Sequence, residues 1–376
     1  MIVLAKFDPP FLIVSATHDY RTKRRVDLHF IADELVRRGE TMFLSTHLSP
    51  LSRLKSRDRR LALAPGADRA ANGVETYLWR APLHPLNVRP PVLDLWNRAA
   101  SWLYGRAMPV AVTAMIARAR TIIVESGGSV ALIDDIARCN PQAAIIYSAS
   151  DTLATIGMAR FYDLALCRAA PRIAFVRLPS ARMANDHACI PRQRVIPHGL
   201  DKEFFADDLS DPYERRPAAV SVGSMLFDPA VLDVAARAFP QVDFHVIGSG
   251  HDGVGLGPRH PNLHWISEME FGGTIPYIRH ADIGMAPYHS ALDADYLVDT
   301  SMKLMQFEAA GVPAVCPTFA QGGRPSRFGY TVGDADSIVS AVEAALAQGR
   351  GGLGRPRTWA HVVEEMLAPL DEDAIA

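Results

Sequence analysis

Lys303 is the side chain in this sequence whose type and position speak most directly of chemistry. It falls with Ser301 and Met302 in the first turn of an expected helix, inside the stretch Met285 to Pro317, MAPYHSALDADYLVDTSMKLMQFEAAGVPAVCP. That stretch reads as the end of an apolar strand, an irregular polar loop, the helix, a glycine stop at Gly311 and a second buried strand. Strand, loop, helix and strand in this order, with a lysine in the first helical turn, is how a parallel α/β sheet presents a cation and backbone donors to a phosphate.

Asp151 is the second candidate. It follows the apolar run Ala143 to Tyr147 and the short Ser148-Ala-Ser. Just past the carboxyl end of a parallel strand, a carboxylate can accept a proton from a sugar hydroxyl. A helix expected over Thr152 to Leu166 begins at the same place, and an aspartate there also serves as its N-cap. Spacing alone favours the cap. A third feature is the basic loop after the first apolar run, with His18, Asp19, Arg21, Lys23, Arg24 and Arg25. It reads either as a ligand loop at a strand end or as a solvated charged loop.

The elements that must position these residues repeat twice. Phe11 to Ser15 is a buried strand, Asp27 to Arg38 an amphipathic helix ending at Gly39, and Thr41 to Thr46 a second strand. Strands at Thr121 to Val124, Ala143 to Tyr147, Ile173 to Arg177 and Val195-Ile196 continue the first half. Pro197 to Asp201 reads as the crossing, and the polar, proline-bearing Lys202 to Pro217 as the boundary. The rhythm then restarts with strands at Ala218 to Val222, Val242 to Ile247, Leu263 to Ile266, Ile283 to Ala286 and Ala314-Val315. Gly322 to Gly333 reads as a mobile turn, and a last amphipathic helix runs from Trp359 to Leu367. The glycines at 248 and 250 fall short of a dinucleotide fingerprint, because no third glycine opens a helix at the required spacing.

At 376 residues, with 49% hydrophobic and 21% charged residues, the chain is an ordered globular protein of about two domains. Cys139, Cys167, Cys189 and Cys316 show no CxxC or His/Cys pattern and are expected as buried thiols in a reducing compartment. No apolar run reaches the ~20 residues of a membrane span, and Asp8, Pro9 and Pro10 interrupt what would be a signal core, so a cytoplasmic location is expected. The net charge of -2 hides an asymmetry: residues 1–200 carry 27 Lys+Arg against 16 Asp+Glu, and the remainder 12 against 25. A basic front half suits an anionic partner such as a membrane surface or a pyrophosphate. Residues 91–120 interleave Leu93, Leu95, Trp96, Trp102, Leu103, Tyr104, Met108 and Met115 with arginines, which fits a helix in a membrane interface or one packed into the core.

Two Rossmann-like halves in tandem with a late phosphate site describe the GT-B glycosyltransferases. The segment SMKLMQFEAAGVPAV is similar to their donor motif, in which a lysine meets the pyrophosphate and a glutamate one turn later takes the ribose; here Gln306 holds that position and Glu308 is offset by two. Together with SATHDYRTKRR, YSASD, VGSMLFDP, FHVIGSG, SEM, APY, TSMKL and SRFGY, in order as far as about Asp336, the chain resembles the xanthan-pathway glucuronosyltransferase family. The resemblance implies an α/β GT-B fold whose two Rossmann-like domains face a cleft. It divides the chain into an acceptor-binding, membrane-associating domain at 1–200, a UDP-sugar-binding domain at 201–355 and a returning helix and tail at 356–376. It also implies inverting transfer from UDP-glucuronate to a mannose-terminated, polyprenyl-pyrophosphate-linked oligosaccharide at the cytoplasmic face of the inner membrane. On this footing Asp151 is the catalytic base, and Met225, Glu268, Tyr288, Met302, Lys303 and Gln306 contact UDP. No Asp/His metal cluster is expected, so Lys303 and the helix dipole take the place of a divalent cation.

Other readings of the residues are transfer of another UDP-sugar or to another acceptor, a UDP-sugar epimerase, and a non-catalytic lipid- or nucleic-acid-binding protein. Against nucleic acid as a partner, no basic, aromatic-interleaved RNP-like motif occurs.

Overall fold

A computed structural model describes residues 6–50, 52, 58–87, 94–250, 260–291 and 293–370. The chain divides into two compact units, residues 1–197 with 359–376, and residues 198–358. Leu93 and residues 53–57 of the basic run lie outside the described residues.

The first unit is built on an eight-stranded sheet. Its strands are β1 (Phe11–Ser15), β2 (Thr41–Leu48), β3 (Gly66–Arg69), β4 (Glu75–Arg80), β5 (Thr121–Glu125), β6 (Ala144–Ser148), β7 (Ile173–Leu178) and β8 (Gln193–Val195). They lie in the order β3-β4-β2-β1-β5-β6-β7-β8, all pairs parallel except β3 with β4. Every residue of β1 and β5 is buried, as expected of parallel strands covered on both faces. The antiparallel edge strand β3 and its neighbour β4 were not foreseen: their alternation is interrupted by charge, and β3 is mostly exposed. The C-terminal helix Trp359–Leu367 packs in this unit, its buried Trp359 stacked on Phe30 of the helix Asp27–Val36 with ring centroids 5.5 Å apart.

The second unit carries six parallel strands, β9 (Ala218–Val222), β10 (Asp243–Ile247), β11 (Leu263–Ile266), β12 (Ile283–Met285), β13 (Ala314–Pro317) and β14 (Arg327–Tyr330). Their order is β11-β10-β9-β12-β13-β14. Read outward from its first strand, this is the doubly wound order 3-2-1-4-5-6, and the order reverses between β9 and β12. In the first unit the corresponding reversal lies between β1 and β5. The turn expected over Gly322 to Gly333 contains β14, whose pairing with β13 completes the sheet. Arg327 anchors it: its buried guanidinium donates to the carbonyls of Val298 at 2.6 Å and Ala320 at 3.1 Å.

The cysteine expectation is corrected. Cys167 and Cys189 form a disulfide across 22 residues, Cys139 is exposed, and Cys316 alone is a buried thiol. No pairing motif marks 167 and 189 in sequence, since the helix Arg160–Ala169 and the turn at 188–190 meet only in the fold. Among the described residues no helix is long and apolar enough to cross a membrane.

Candidate active site

In the second unit all six expected donor residues stand on three loops and one helix at the carboxyl ends of the strands. Met225 lies on the loop after β9, Glu268 on the loop after β11, and Tyr288 after β12; Met302 and Lys303 open the helix Met302–Ala309. The loops of Met225 and Tyr288 flank the point where the strand order reverses, the place where sheets of this kind take ligands. They are tied to each other. Phe227 and Tyr288 form an antiparallel bridge, the His289 amide donates to the Leu226 carbonyl at 2.8 Å, and the Asp228 amide to that of Pro287 at 2.8 Å. Leu226 has a φ of 47°, so the turn that presents Met225 holds its backbone in the left-handed region.

Ser301 caps the helix, its Oγ accepting the Leu304 amide at 3.2 Å. The same hydroxyl lies 2.6 Å from the Tyr288 hydroxyl. Both side chains are buried, and burial pushes the Tyr288 phenol well above its ordinary range, so it serves as a neutral hydrogen-bonding group. Lys303 Nζ lies 5.2 Å from the centroid of the Tyr288 ring and 3.5 Å from Ser221 Oγ near the end of β9. The ammonium is therefore held over an aromatic face at the switch point, beside the positive end of the helix. Glu268 is half-buried against the loop of Gly248, where a Cβ would lie 3.6 Å from the Glu268 Cα. Gln306, one turn beyond Lys303, is buried.

The offset Glu308 has a different employment. Its carboxylate accepts from Arg324 Nη1 at 3.0 Å and Arg327 Nη2 at 3.1 Å, which ties the helix to the segment leading into β14.

In the first unit Asp151 sits at the end of a braced strand. The Ala149 amide donates to the Arg177 carbonyl at 3.0 Å, and the Asp151 amide to Ser126 Oγ at 3.2 Å. Ser150 Oγ donates to Asp27 Oδ2 at 2.6 Å, and the same oxygen accepts Arg177 Nη1 at 3.1 Å. Arg177 is fully buried and Asp27 nearly so. The helix expected from Thr152 starts instead at Arg160, with Ala159 at its N-cap. Residues 153–157 form turns, and Thr152 Oγ1 accepts the Thr155 amide at 3.2 Å. The cap reading of Asp151 therefore fails: the half-buried carboxylate stands on an irregular loop at the carboxyl end of β6.

Sequence reading passed over a neighbouring cluster. Glu125, the last residue of β5, accepts a hydrogen bond from Ser15 Oγ at the end of β1 and lies 2.8 Å from His18 Nδ1. These residues occupy the switch point of the first sheet. The available signal was a carboxylate closing an apolar strand, TIIVE, which is the pattern that singled out Asp151. The basic loop is also more structured than its composition suggests: Arg21 forms a fork with the buried Asp19 at 2.9 and 3.0 Å, and Arg25 pairs with Asp33.

Two doubly wound sheets, parallel but for the edge strand β3 and one with a lysine-bearing helix at its switch point, define the class. The fold is that of the GT-B glycosyltransferases. Solved trehalose-6-phosphate synthases share it: one from E. coli bound with UDP-2-fluoro glucose matches with a TM-score of 0.57 at 9% identity, covering 95% of both chains. One from Burkholderia vietnamiensis matches with a TM-score of 0.60 at 10% identity, covering 96% of this chain and 93% of the other. Residues 13–179 match the family described as "Glucuronosyltransferase GumK, N-terminal domain". A UDP-glucuronate:glycolipid 2-beta-glucuronosyltransferase of Xanthomonas campestris pv. campestris is 42% identical over 369 residues, 96% of this chain and 90% of that protein. This chain belongs to that glucuronosyltransferase family.

Proposed function

We propose that this chain transfers glucuronate from UDP-glucuronate to the terminal mannose of a polyprenyl-pyrophosphate-linked oligosaccharide, with inversion at the anomeric carbon. The observation that carries the donor side is the placement of Lys303 over Tyr288 at the β9/β12 reversal, beside the capped start of the helix Met302–Ala309. A nucleoside diphosphate leaving group needs positive charge where its β-phosphate departs, and the ammonium and helix amides supply it. Met225 and Met302 offer flexible thioethers to the base and ribose. Glu268, Tyr288 and Gln306 offer hydrogen-bonding groups to uridine and phosphate oxygens.

Asp151 is the general base. Its carboxylate takes the proton of the acceptor hydroxyl as that oxygen bonds to the anomeric carbon; the bond from that carbon to UDP breaks, and its electron pair leaves with UDP. The strut of Ser150, Asp27 and Arg177 holds the base in place. Asp151 belongs to the first unit and Lys303 to the second.

Attachment to the cytoplasmic face of the inner membrane is part of the reading. The helix Asp94–Arg106 exposes Leu95, Trp96, Trp102 and Leu103, while Ala100, Ser101 and Tyr104 face inward. Arg106 stacks on Trp102 at 3.9 Å. An apolar, tryptophan-bearing face edged by arginine, in the basic half of the chain, suits an anionic bilayer surface.

The test is product analysis with a panel of UDP-sugars and a lipid-linked mannosyl acceptor. A product gaining one β-linked glucuronyl residue supports the reading. Transfer of another sugar while UDP-glucuronate stays inert, or UDP-sugar conversion without acceptor, contradicts it.

A further inference from the structure

Away from the donor loops, strand pairing brings one aspartate and two histidines together. Asp243 opens β10, His245 stands two residues on and so projects from the same face, and His264 of β11 is the direct cross-strand neighbour of His245. One ligand atom from each lies within 4.8 Å of the other two. Strand pairing, not sequence spacing, assembles the group, which is why the 18 residues between His245 and His264 conceal it.

The polar atoms facing each other here are not spent on ordinary hydrogen bonds. Asp243 Oδ1, His245 Nδ1 and His264 Nε2 are buried and without a hydrogen-bond partner. Asp243 is 5% exposed. Its Oδ1 has two longer charge contacts, Arg215 Nη1 at 3.3 Å and His264 Nε2 at 3.5 Å. His245 Nδ1 has no hydrogen-bond partner, and Asp243 Oδ1 and His264 Nε2 face each other at 3.5 Å without a hydrogen bond, an arrangement rare enough inside a protein to need an explanation. A four-coordinate zinc ion places its ligand atoms about 3.3 Å apart, close to the Asp243–His264 separation.

The surroundings suit a cation site. Tyr213 packs edge-on against the His245 ring at 4.9 Å, Tyr277 lies at 5.9 Å, and the two histidine rings are 4.8 Å apart, so His245 is fixed from three sides. The His264 side chain is 41% exposed and leaves a route from solvent. Arg215, 62% exposed, can swing aside when a cation takes its place beside the carboxylate.

We propose that Asp243, His245 and His264 form a binding site for a divalent cation of the zinc class. Two imidazoles with one carboxylate select zinc, cobalt or nickel over magnesium or calcium, which prefer all-oxygen shells. The site stands toward the amino-terminal ends of β10 and β11, whereas Glu268 follows the carboxyl end of β11. It therefore takes no part in the transfer chemistry. It pins the edge strand β11 to the sheet, and through β11 steadies the loop that carries Glu268.

The experiment titrates Co2+, then Zn2+, into the untagged full chain bearing Cys139→Ser, so that the exposed thiol cannot contribute. Expected are one equivalent of Co2+ bound with the visible absorption of a four-coordinate ion, displacement by Zn2+, and paramagnetically shifted imidazole signals from two histidines. His245→Gln and His264→Gln each weaken binding at least ~100-fold, and His260→Gln, whose ring bonds Asp233 at 2.8 Å, leaves it unchanged. Absence of stoichiometric binding to the chain with all histidines intact overturns the proposal, as does binding unaltered in both variants. The first of these readouts needs no histidine variant to fold.

Discussion

Tyr288 and Ser301 share a 2.6 Å hydrogen bond between buried hydroxyls, so the wall of the proposed donor site and the cap of its phosphate-facing helix are one unit. Tyr288→Phe removes one partner and leaves the other buried, at a cost of about 1 kcal/mol in stability. Ser301→Ala removes the cap as well and costs about 1 kcal/mol or more. The double variant should lose less than the sum of the two, since they share an interaction. Denaturant unfolding of the three variants checks this; strict additivity contradicts the coupling.

Lys303→Ala should lower kcat/KM for transfer by ~10²–10³, the usual loss when one charge-stabilising donor is removed. Fold stability should hardly change, because the ammonium lies at the site and not within the hydrophobic core. Lys303→Arg should recover only part of the loss, since a planar fork does not reproduce a point charge over the Tyr288 ring. Steady-state kinetics with UDP binding measured in parallel decides it.

Stability should fall with acid before most carboxylates titrate. Burial holds His29 at about 3, against an ordinary value of 6.5, and keeps His47 well below its ordinary value. Between these limits the unfolded imidazole binds a proton and the folded one does not, so stability rises with pH across the window. Each such group contributes a slope approaching about 1.4 kcal/mol per pH unit. His29→Gln should flatten that slope in unfolding measured from about pH 4 to 6. An unchanged slope contradicts the assignment.

Membrane attachment through the helix Asp94–Arg106 gives a separate expectation. Trp96→Ser with Trp102→Ser should reduce co-sedimentation with anionic vesicles by about tenfold or more, because each tryptophan contributes kcal-scale apolar burial. Transfer to a water-soluble acceptor should be unaffected. Equal sedimentation of variant and wild-type chain refutes this face as the attachment surface.

The chain's patterning made the central strands of both sheets legible, because parallel strands buried on two faces read as unbroken apolar runs such as FLIVS and TIIV. Lys303 was legible for the same reason: the strand and glycine around it fix its place in the first helical turn. The edge strands β3 and β14 were not, since short strands with charged residues carry no periodic signal. Pairwise relations were hidden throughout. Cys167 with Cys189, Asp27 with Arg177, Ser15 with Glu125, and His245 with His264 are all brought together only by the tertiary fold, which a linear reading cannot supply. Asp151 lay between the two cases. Its position at a strand end was visible, but its role depended on whether a helix began at Thr152, and turns occupy that place.

The most direct test of the account is single-turnover transfer by Asp151→Asn, with UDP-glucuronate and a lipid-linked mannosyl acceptor, beside UDP affinity measured on the same preparation. The account predicts a rate lower by ~10²–10⁴, the contribution of a general base, with UDP affinity unchanged. A near-normal rate would show that another group takes the proton and would contradict the central claim.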